Sequence, residues 1–226
     1  MILASLTHAR EPVAFTTFEA WWAATAPLRV HPSTVDRAIA QGFASDRLGM
    51  AFAGGYCSAM IALGAPDDGT PSALCATEDE GGHPRAIKTR LESGRVTGTK
   101  RFVSFGTFAK HLLVVASEGA SEGRNRLRVV QVAASDVTLD PGMELPFVPE
   151  VPHASVVLEN VAGQVLPGDG YERYLKPFRT IEDLHVNAAV LAYLLNVGLR
   201  FGWSNAAKED LLAALKPWLP GRWFEK

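Results

Sequence analysis

The spacing of apolar positions changes twice along this chain. Between residues 46 and 63 apolar side chains crowd every side of a helical projection, which predicts a buried helix. Gly64 ends it and Pro66 cannot continue it. Upstream, the chain is Ala-rich with helical spacing. Ser33 followed by Asp36 has the form of a helix N-terminus, a hydroxyl cap with an acid in the first turn facing the helix dipole. From about residue 74 the period shortens. Ile87, Thr89 and Leu91 alternate with Lys88, Arg90 and Glu92, the pattern of a half-buried strand. Ser93-Gly94 supplies a tight turn, and residues 95–104 return as the second strand of a hairpin. Residues 111–117, 126–133 and 154–161 are further β-branched runs, separated by polar linkers such as 117–125. After residue 168 the helical period returns. Ile181, Leu184, Ala188, Leu191, Leu195 and Leu199 step by three and four over 180–202. A shorter helix is predicted over 206–215, beyond which Pro217 and Pro220 forbid regular continuation.

These periods predict an α+β chain in three segments. A helical N-terminal segment covers 1–73, a middle β-domain of antiparallel barrel or sandwich type covers 74–168, and a helical C-terminal segment covers 169–226. There is no internal repeat and no low-complexity tract.

Composition fits this picture and excludes several functions. The chain has 226 residues, of which 47% are hydrophobic and 20% charged, so a packed core is expected rather than disorder. A net charge of −2 supplies no global field for nucleic acid or anionic lipid. Residues 48–66 are nearly uncharged, yet their Gly, Ala and Ser content suits a buried helix better than a membrane span. Met1 to Glu11 lacks the basic start and apolar run of a secretory leader. Cys57 and Cys75 have no CxxC spacing, so neither a disulfide framework nor a zinc site is expected. A cytoplasmic protein is the expectation.

Sequence signatures of nucleotide loops, serine-hydrolase elbows and zinc proteases are missing. Gly98-Thr99-Lys100 lacks the upstream glycine of a phosphate loop and reads as structural. Glu182 and His185 share one helix face, but a di-iron bundle needs two such pairs, so His185 reads as a helix-face histidine near a carboxylate.

One run of residues carries more. Cys75-Ala76-Thr77-Glu78 precedes Gly81-Gly82, the strand-like run from Ile87 to Glu92 follows, and then comes Val96-Thr97-Gly98-Thr99-Lys100-Arg101-Phe102-Val103-Ser104. Ala154, Val156, Leu158, Glu159, Asn160 and Val161, then Leu166 and Gly168, complete the pattern. In order and spacing this resembles the middle domain of the acyl-CoA dehydrogenase family. The resemblance implies an oligomeric FAD-dependent oxidoreductase that removes a proton and a hydride across a CH–CH bond of an acyl thioester or related substrate. It puts Ala76, Thr77, Phe102 and Ser104 against the flavin, with Thr77 on the pyrimidine edge, Phe102 on the ring and Ser104 at N5. Strand parity agrees in part: Phe102 and Ser104 are two apart, so both face one side. A ring beside a hydroxyl makes a sensible flavin shelf. Without the flanking motifs the same residues would read as an ordinary strand with an inward Phe.

The chain also departs from that family. His83-Pro84 follow the glycines where Ser or Thr and then Asp are usual, and the loop is one residue shorter. Phe105 stands in place of Asn, and Phe102 in place of Trp. Members of the family are longer, with a four-helix C-terminal domain that completes the oligomer and the FAD diphosphate site; here there is room for about two helices. Many members carry the catalytic base on a loop that would lie beyond residue 226. Others place it on the first C-terminal helix, where Glu182 falls. A buried carboxylate there would have a raised pKa suited to proton abstraction. The other reading of Glu182 and Asp183 is a pair of acids in the first turn of a helix, favoured by its dipole.

Three functions follow from the sequence. The first is the FAD-dependent oxidoreductase, as a dehydrogenase or an oxygen-using relative. The second is a non-catalytic or flavin-free descendant acting as a binding or assembly module, with Trp218, Trp223 and Phe224 covering exposed surface or meeting a partner. The third is a shortened product of a longer gene.

Overall fold

The computed structural model describes residues 2–143 and 150–218; Trp223 and Phe224 lie outside them. The order is helical, then β, then helical, an α+β architecture as the periods predict. By their internal contacts the residues form two compact units, Leu63–Arg179 and the combination of Met1–Ala62 with Thr180–Lys226.

In the helical unit, α1 (Phe18–Ala24) begins where the Thr17 hydroxyl accepts the amide of Ala20, and it buries Phe18 and Trp21. The guanidinium of Arg29 stacks 3.7 Å from the Trp22 ring. Next, α2 (Thr34–Ala44) starts at the expected cap, the Ser33 hydroxyl accepting the amide of Asp36. The uniformly apolar α3 (Leu48–Leu63) follows, and Gly64 leaves it with φ +110°. The long α4 (Lys176–Arg200) passes close to both predecessors. A Cβ on Gly42 would stand 2.1 Å from the Ala189 carbonyl oxygen, and one on Gly55 would stand 2.7 Å from the Val186 Cα. Glycine is therefore what lets α2 and α3 approach α4 backbone to side. Ile39, Phe43, Ala188, Ala192, Leu195 and Leu215 of α5 (Asn205–Leu215) pack one core. The half-buried Trp218 packs against that core. Buried Asn196 holds the incoming N-terminal strand of chain by pairing both backbone groups of Arg10. No helix of the described residues is long and apolar enough to cross a membrane.

The helix predicted over 180–202 begins earlier than its apolar period suggests. The Asp169 carboxylate accepts the amides of Tyr171 and Glu172, and a π-helical turn (Tyr171–Leu175) leads directly into α4. Glu182 and Asp183 therefore lie well inside the helix and not in its first turn.

The β unit holds one sheet. Its strands are β1 (Ser72–Cys75), β2 (Arg90–Glu92), β3 (Arg95–Ser104), β4 (His111–Ser121), β5 (Arg124–Ala133), β6 (Thr138–Met143), β7 (His153–Ala162) and β8 (Gln164–Val165). They are ordered β6-β7-β3-β2-β4-β5-β8, with β1 also on β4. Most pairings are antiparallel, whereas β1 and β2 run parallel to β4. Leu91, Val96, Val103, Leu112, Val114 and Val130 are among the buried residues of its core.

Two local differences from the sequence pattern have physical causes. The alternation over 87–92 is real, with Ile87, Thr89 and Leu91 buried, but only Arg90–Glu92 pairs as a strand. The amides of Lys88 and Thr89 are instead taken by the Glu78 carboxylate. The polar run 117–125 is not a linker, because β4 and β5 continue through it to a two-residue turn at Glu122 and Gly123, both with positive φ. The predicted turn at Ser93-Gly94 has the same form, joining β2 to β3 in register Glu92↔Arg95.

Candidate functional site

Ala76 and Thr77 follow β1 directly. The Thr77 carbonyl accepts the amide of Arg101, and the Ala76 carbonyl accepts from the Lys100 ammonium at 3.3 Å. These bonds lay the Ala76-Thr77 segment beside the middle of β3. The Thr77 hydroxyl is half-buried and has no hydrogen-bond partner among the described residues. Gly82 lies beside it, where a Cβ would stand 3.4 Å from the hydroxyl oxygen.

The loop beyond is built around a carboxylate. Glu78 accepts from the amides of Lys88 and Thr89 and from Lys100 Nζ at 2.7 Å. Burial pushes its pKa up, but these donors outweigh burial and hold it below the ordinary carboxylate value. Lys100 is fully buried. A Cβ on Gly98 would meet Thr89 Oγ1 at 2.4 Å, so glycine is required where β3 crosses this loop. Outside the pair, Arg101 donates to Asp79 at 2.8 Å and to the Ser155 hydroxyl at 3.0 Å.

Between Lys100 and Val103 the β3–β7 register slips. Lys100 pairs with Val156 and Val103 with Ala154, so β3 carries one residue more than β7, a β-bulge. Both Lys100 and Val103 are buried. Phe102 takes the extra step with φ +54° and is 54% exposed. The inward Phe of an ordinary strand is thus not what the chain forms. A bulky residue in the left-handed region is an outlier that its surroundings must enforce.

Two residues on, half-buried Ser104 pairs across the sheet with His153. Its hydroxyl lies 3.0 Å from His153 Nε2, while His153 Nδ1 lies 3.0 Å from the Val151 carbonyl oxygen. Burial pulls the His153 pKa below its ordinary value, against the opposing effect of the Val151 carbonyl. Four of the sequence-derived site residues, Ala76, Thr77, Phe102 and Ser104, are therefore neighbours on or beside one strand of the β unit.

Glu182 belongs to the helical unit. Burial, with the nearby Asp183 charge, raises its pKa. On the same helix, buried His185 bonds the Ile181 carbonyl at 2.7 Å and the Thr34 hydroxyl at 2.9 Å. Both ring nitrogens are thereby engaged, and burial lowers the pKa of the imidazole. Among the described residues no group of three His, Cys, Asp or Glu side chains is placed to hold a metal ion. Cys57 and Cys75 are free, buried thiols, pushed up to about 12 by burial.

Three participants escaped the sequence reading: His153, Arg101 and the ionic role of Lys100. A lysine at an inward position of a strand is a detectable signal, since a buried ammonium demands a carboxylate. His153 had none, because its partner is 49 residues away.

No protein-family profile matches the chain, and no curated protein sequence matches it. Solved structures do. The FAD complex of PigA matches with TM-score 0.58 at 15% identity, over 86% of this chain and 65% of that one. The prolyl acyl carrier protein oxidase AnaB matches with TM-score 0.61 at 15% identity, over 86% of this chain and 66% of that one. Butyryl-CoA dehydrogenase from Megasphaera elsdenii matches with TM-score 0.58 at 12% identity, over 80% of this chain and 57% of that one. The chain spans less than two thirds of the length of these structures. The fold is that of the acyl-CoA dehydrogenases.

Proposed function

We propose that the chain binds FAD against the outer side of β3 and acts as an oxidoreductase of acyl-CoA dehydrogenase type. The observation that carries this reading is Phe102, an aromatic ring held out into solvent by a bulge in a strained backbone conformation. Strain of this kind costs about 1–3 kcal/mol and is concentrated at functional sites. Its neighbours suit an isoalloxazine ring. Phe102 offers the stacking face, Ser104 a hydroxyl at one ring position, and Thr77 an unpartnered hydroxyl for the polar edge. The bound flavin would supply a two-electron acceptor for a hydride from substrate.

The remaining chemistry falls to this chain's own groups. Glu182, its carboxyl pKa raised by burial, is suited to remove a proton α to a thioester carbonyl. The substrate class is an acyl thioester, carried on CoA or on a carrier protein, as the names of the matched structures suggest. A homo-oligomer and a cytoplasmic location belong to the same proposal.

A second reading, a flavin-free binding module, is favoured by one observation: the glycine loop is closed on itself. Glu78 and Gly81 exchange both backbone hydrogen bonds, leaving those amides unavailable to a ligand. The absorption spectrum of the purified chain decides between the two. Flavin bands, or their appearance on adding FAD, support the oxidoreductase; a colourless chain that takes up no FAD sinks it.

A further inference from the structure

The Ser104–His153 pair restricts what Ser104 can do for a ligand. The Val151 carbonyl oxygen is only an acceptor, so His153 Nδ1, 3.0 Å away, carries the hydrogen of that bond. A neutral imidazole has one N–H, which leaves Nε2 an acceptor. Ser104, 3.0 Å from Nε2, must then donate its only hydrogen inward. What the hydroxyl has left to offer is lone pairs.

We infer that His153 sets the Ser104 hydroxyl as a hydrogen-bond acceptor toward the flavin site, so that the site favours the reduced ring over the oxidised one. This rests on the flavin reading above, in which Ser104 meets ring nitrogen N5. In the oxidised flavin that nitrogen is a bare acceptor and would oppose the oxygen lone pairs. In the reduced flavin it carries a hydrogen and satisfies them. His153 is buried and its pKa is drawn down by that burial, which keeps the imidazole neutral and the polarity of the chain of bonds fixed. The arrangement is cross-strand: Ser104 and His153 are register partners on β3 and β7, so the sheet itself holds the two side chains together. His153 is a positioning residue, acting through Ser104.

Two measurements test this on the full chain. Heteronuclear NMR of the wild-type protein at neutral pH reads the His153 tautomer without any flavin. The Nδ1–H form is expected; the Nε2–H form or an imidazolium overturns the inference. The second compares dissociation constants for oxidised and reduced FAD, with the midpoint potential of the bound flavin. In His153→Leu the hydroxyl is released to donate outward. The preference for reduced flavin should fall about tenfold, which is a drop of about 30 mV in potential for a two-electron couple. Ser104→Ala, which removes the acceptor and leaves His153 in place, should shift the potential in the same direction and serves if the leucine variant does not fold. Flavin uptake with an unchanged potential in a folded variant overturns this inference alone. Failure of the wild-type chain to bind FAD overturns the flavin reading and this inference with it.

Discussion

The ammonium of Lys100, fully buried, donates to Glu78 Oε1 at 2.7 Å, and the same carboxylate gathers the amides of Lys88 and Thr89. One carboxylate thus ties β3 to the loop that precedes β2. Removing one partner strands the other's charge in the interior. Lys100→Met should cost about 3–5 kcal/mol in denaturant unfolding. Adding Glu78→Gln should recover part of that loss, because no unpaired charge then remains. A double variant less stable than the single one would show that the pair is not the source of the cost.

Gly42 and Ala189 mark a close helix contact. A Cβ at Gly42 would lie 2.1 Å from a backbone oxygen and 2.6 Å from its carbon, atoms that cannot rotate away. Gly42→Ala should therefore destabilise the helical unit by about 3 kcal/mol, the upper end for overpacking. Thermal unfolding followed by circular dichroism measures it. An unchanged midpoint would mean that α2 and α4 separate at little cost.

Phe102 separates stability from binding. Its φ of +54° is unfavourable for any residue with a Cβ, by about 1–2 kcal/mol. Phe102→Gly should leave stability unchanged or raise it by up to about 1 kcal/mol, since glycine also loses more entropy on folding. The same change should weaken FAD binding about tenfold, the scale of one lost aromatic contact. Fluorescence titration with FAD reads the second effect. Equal affinity in the glycine variant would remove Phe102 from the flavin surface.

Glu182 gives a pH signature. Its pKa is raised, chiefly by burial, so near the ordinary carboxylate value it still holds its proton and cannot act as a base. Reduction of bound flavin by substrate should rise with pH through a midpoint above that ordinary value and then level off. Glu182→Gln should abolish both the rate and the profile. Stopped-flow reduction that is unchanged in this variant dismisses the role.

Asp68 sets an acid limit on stability. The Thr70 hydroxyl above all, with the Thr70 amide and the His111 ring, holds its pKa down to about 2, from 3.8, against the opposing effect of burial. With the folded pKa below the unfolded one, the stabilisation is complete above about 3.8 and is lost as pH falls toward 2. Asp68→Asn should flatten the stability profile across that window. Urea midpoints measured at several pH values within it provide the check.

How much of this was legible in the sequence depends on the range of the interaction. The cap at Ser33, the buried α3, the Ser93-Gly94 turn and the burial parity of Ile87, Thr89 and Leu91 were all readable. Each is set by residues within a turn or two of one another. The early start of α4 was missed because Asp169 caps it from outside the apolar period. The strand ending short at Arg90 was missed because its amides are diverted to Glu78, ten and eleven residues back.

By itself the sequence determined the α+β order of elements and the run from Ala76 to Ser104 that resembles a flavin-binding domain. Apolar period and turn residues act locally, and local steric and solvation preferences survive being read in one dimension. Only the tertiary structure decided how that run is presented. The bulge that turns Phe102 outward arises from a register mismatch with β7, and no pattern within β3 encodes it. The direction of the Ser104 hydroxyl is set by His153, which only strand pairing brings within 3.0 Å, and through it by the Val151 carbonyl two residues before that histidine. A hydrogen bond has a direction and a partner, and both depend on which strands lie side by side.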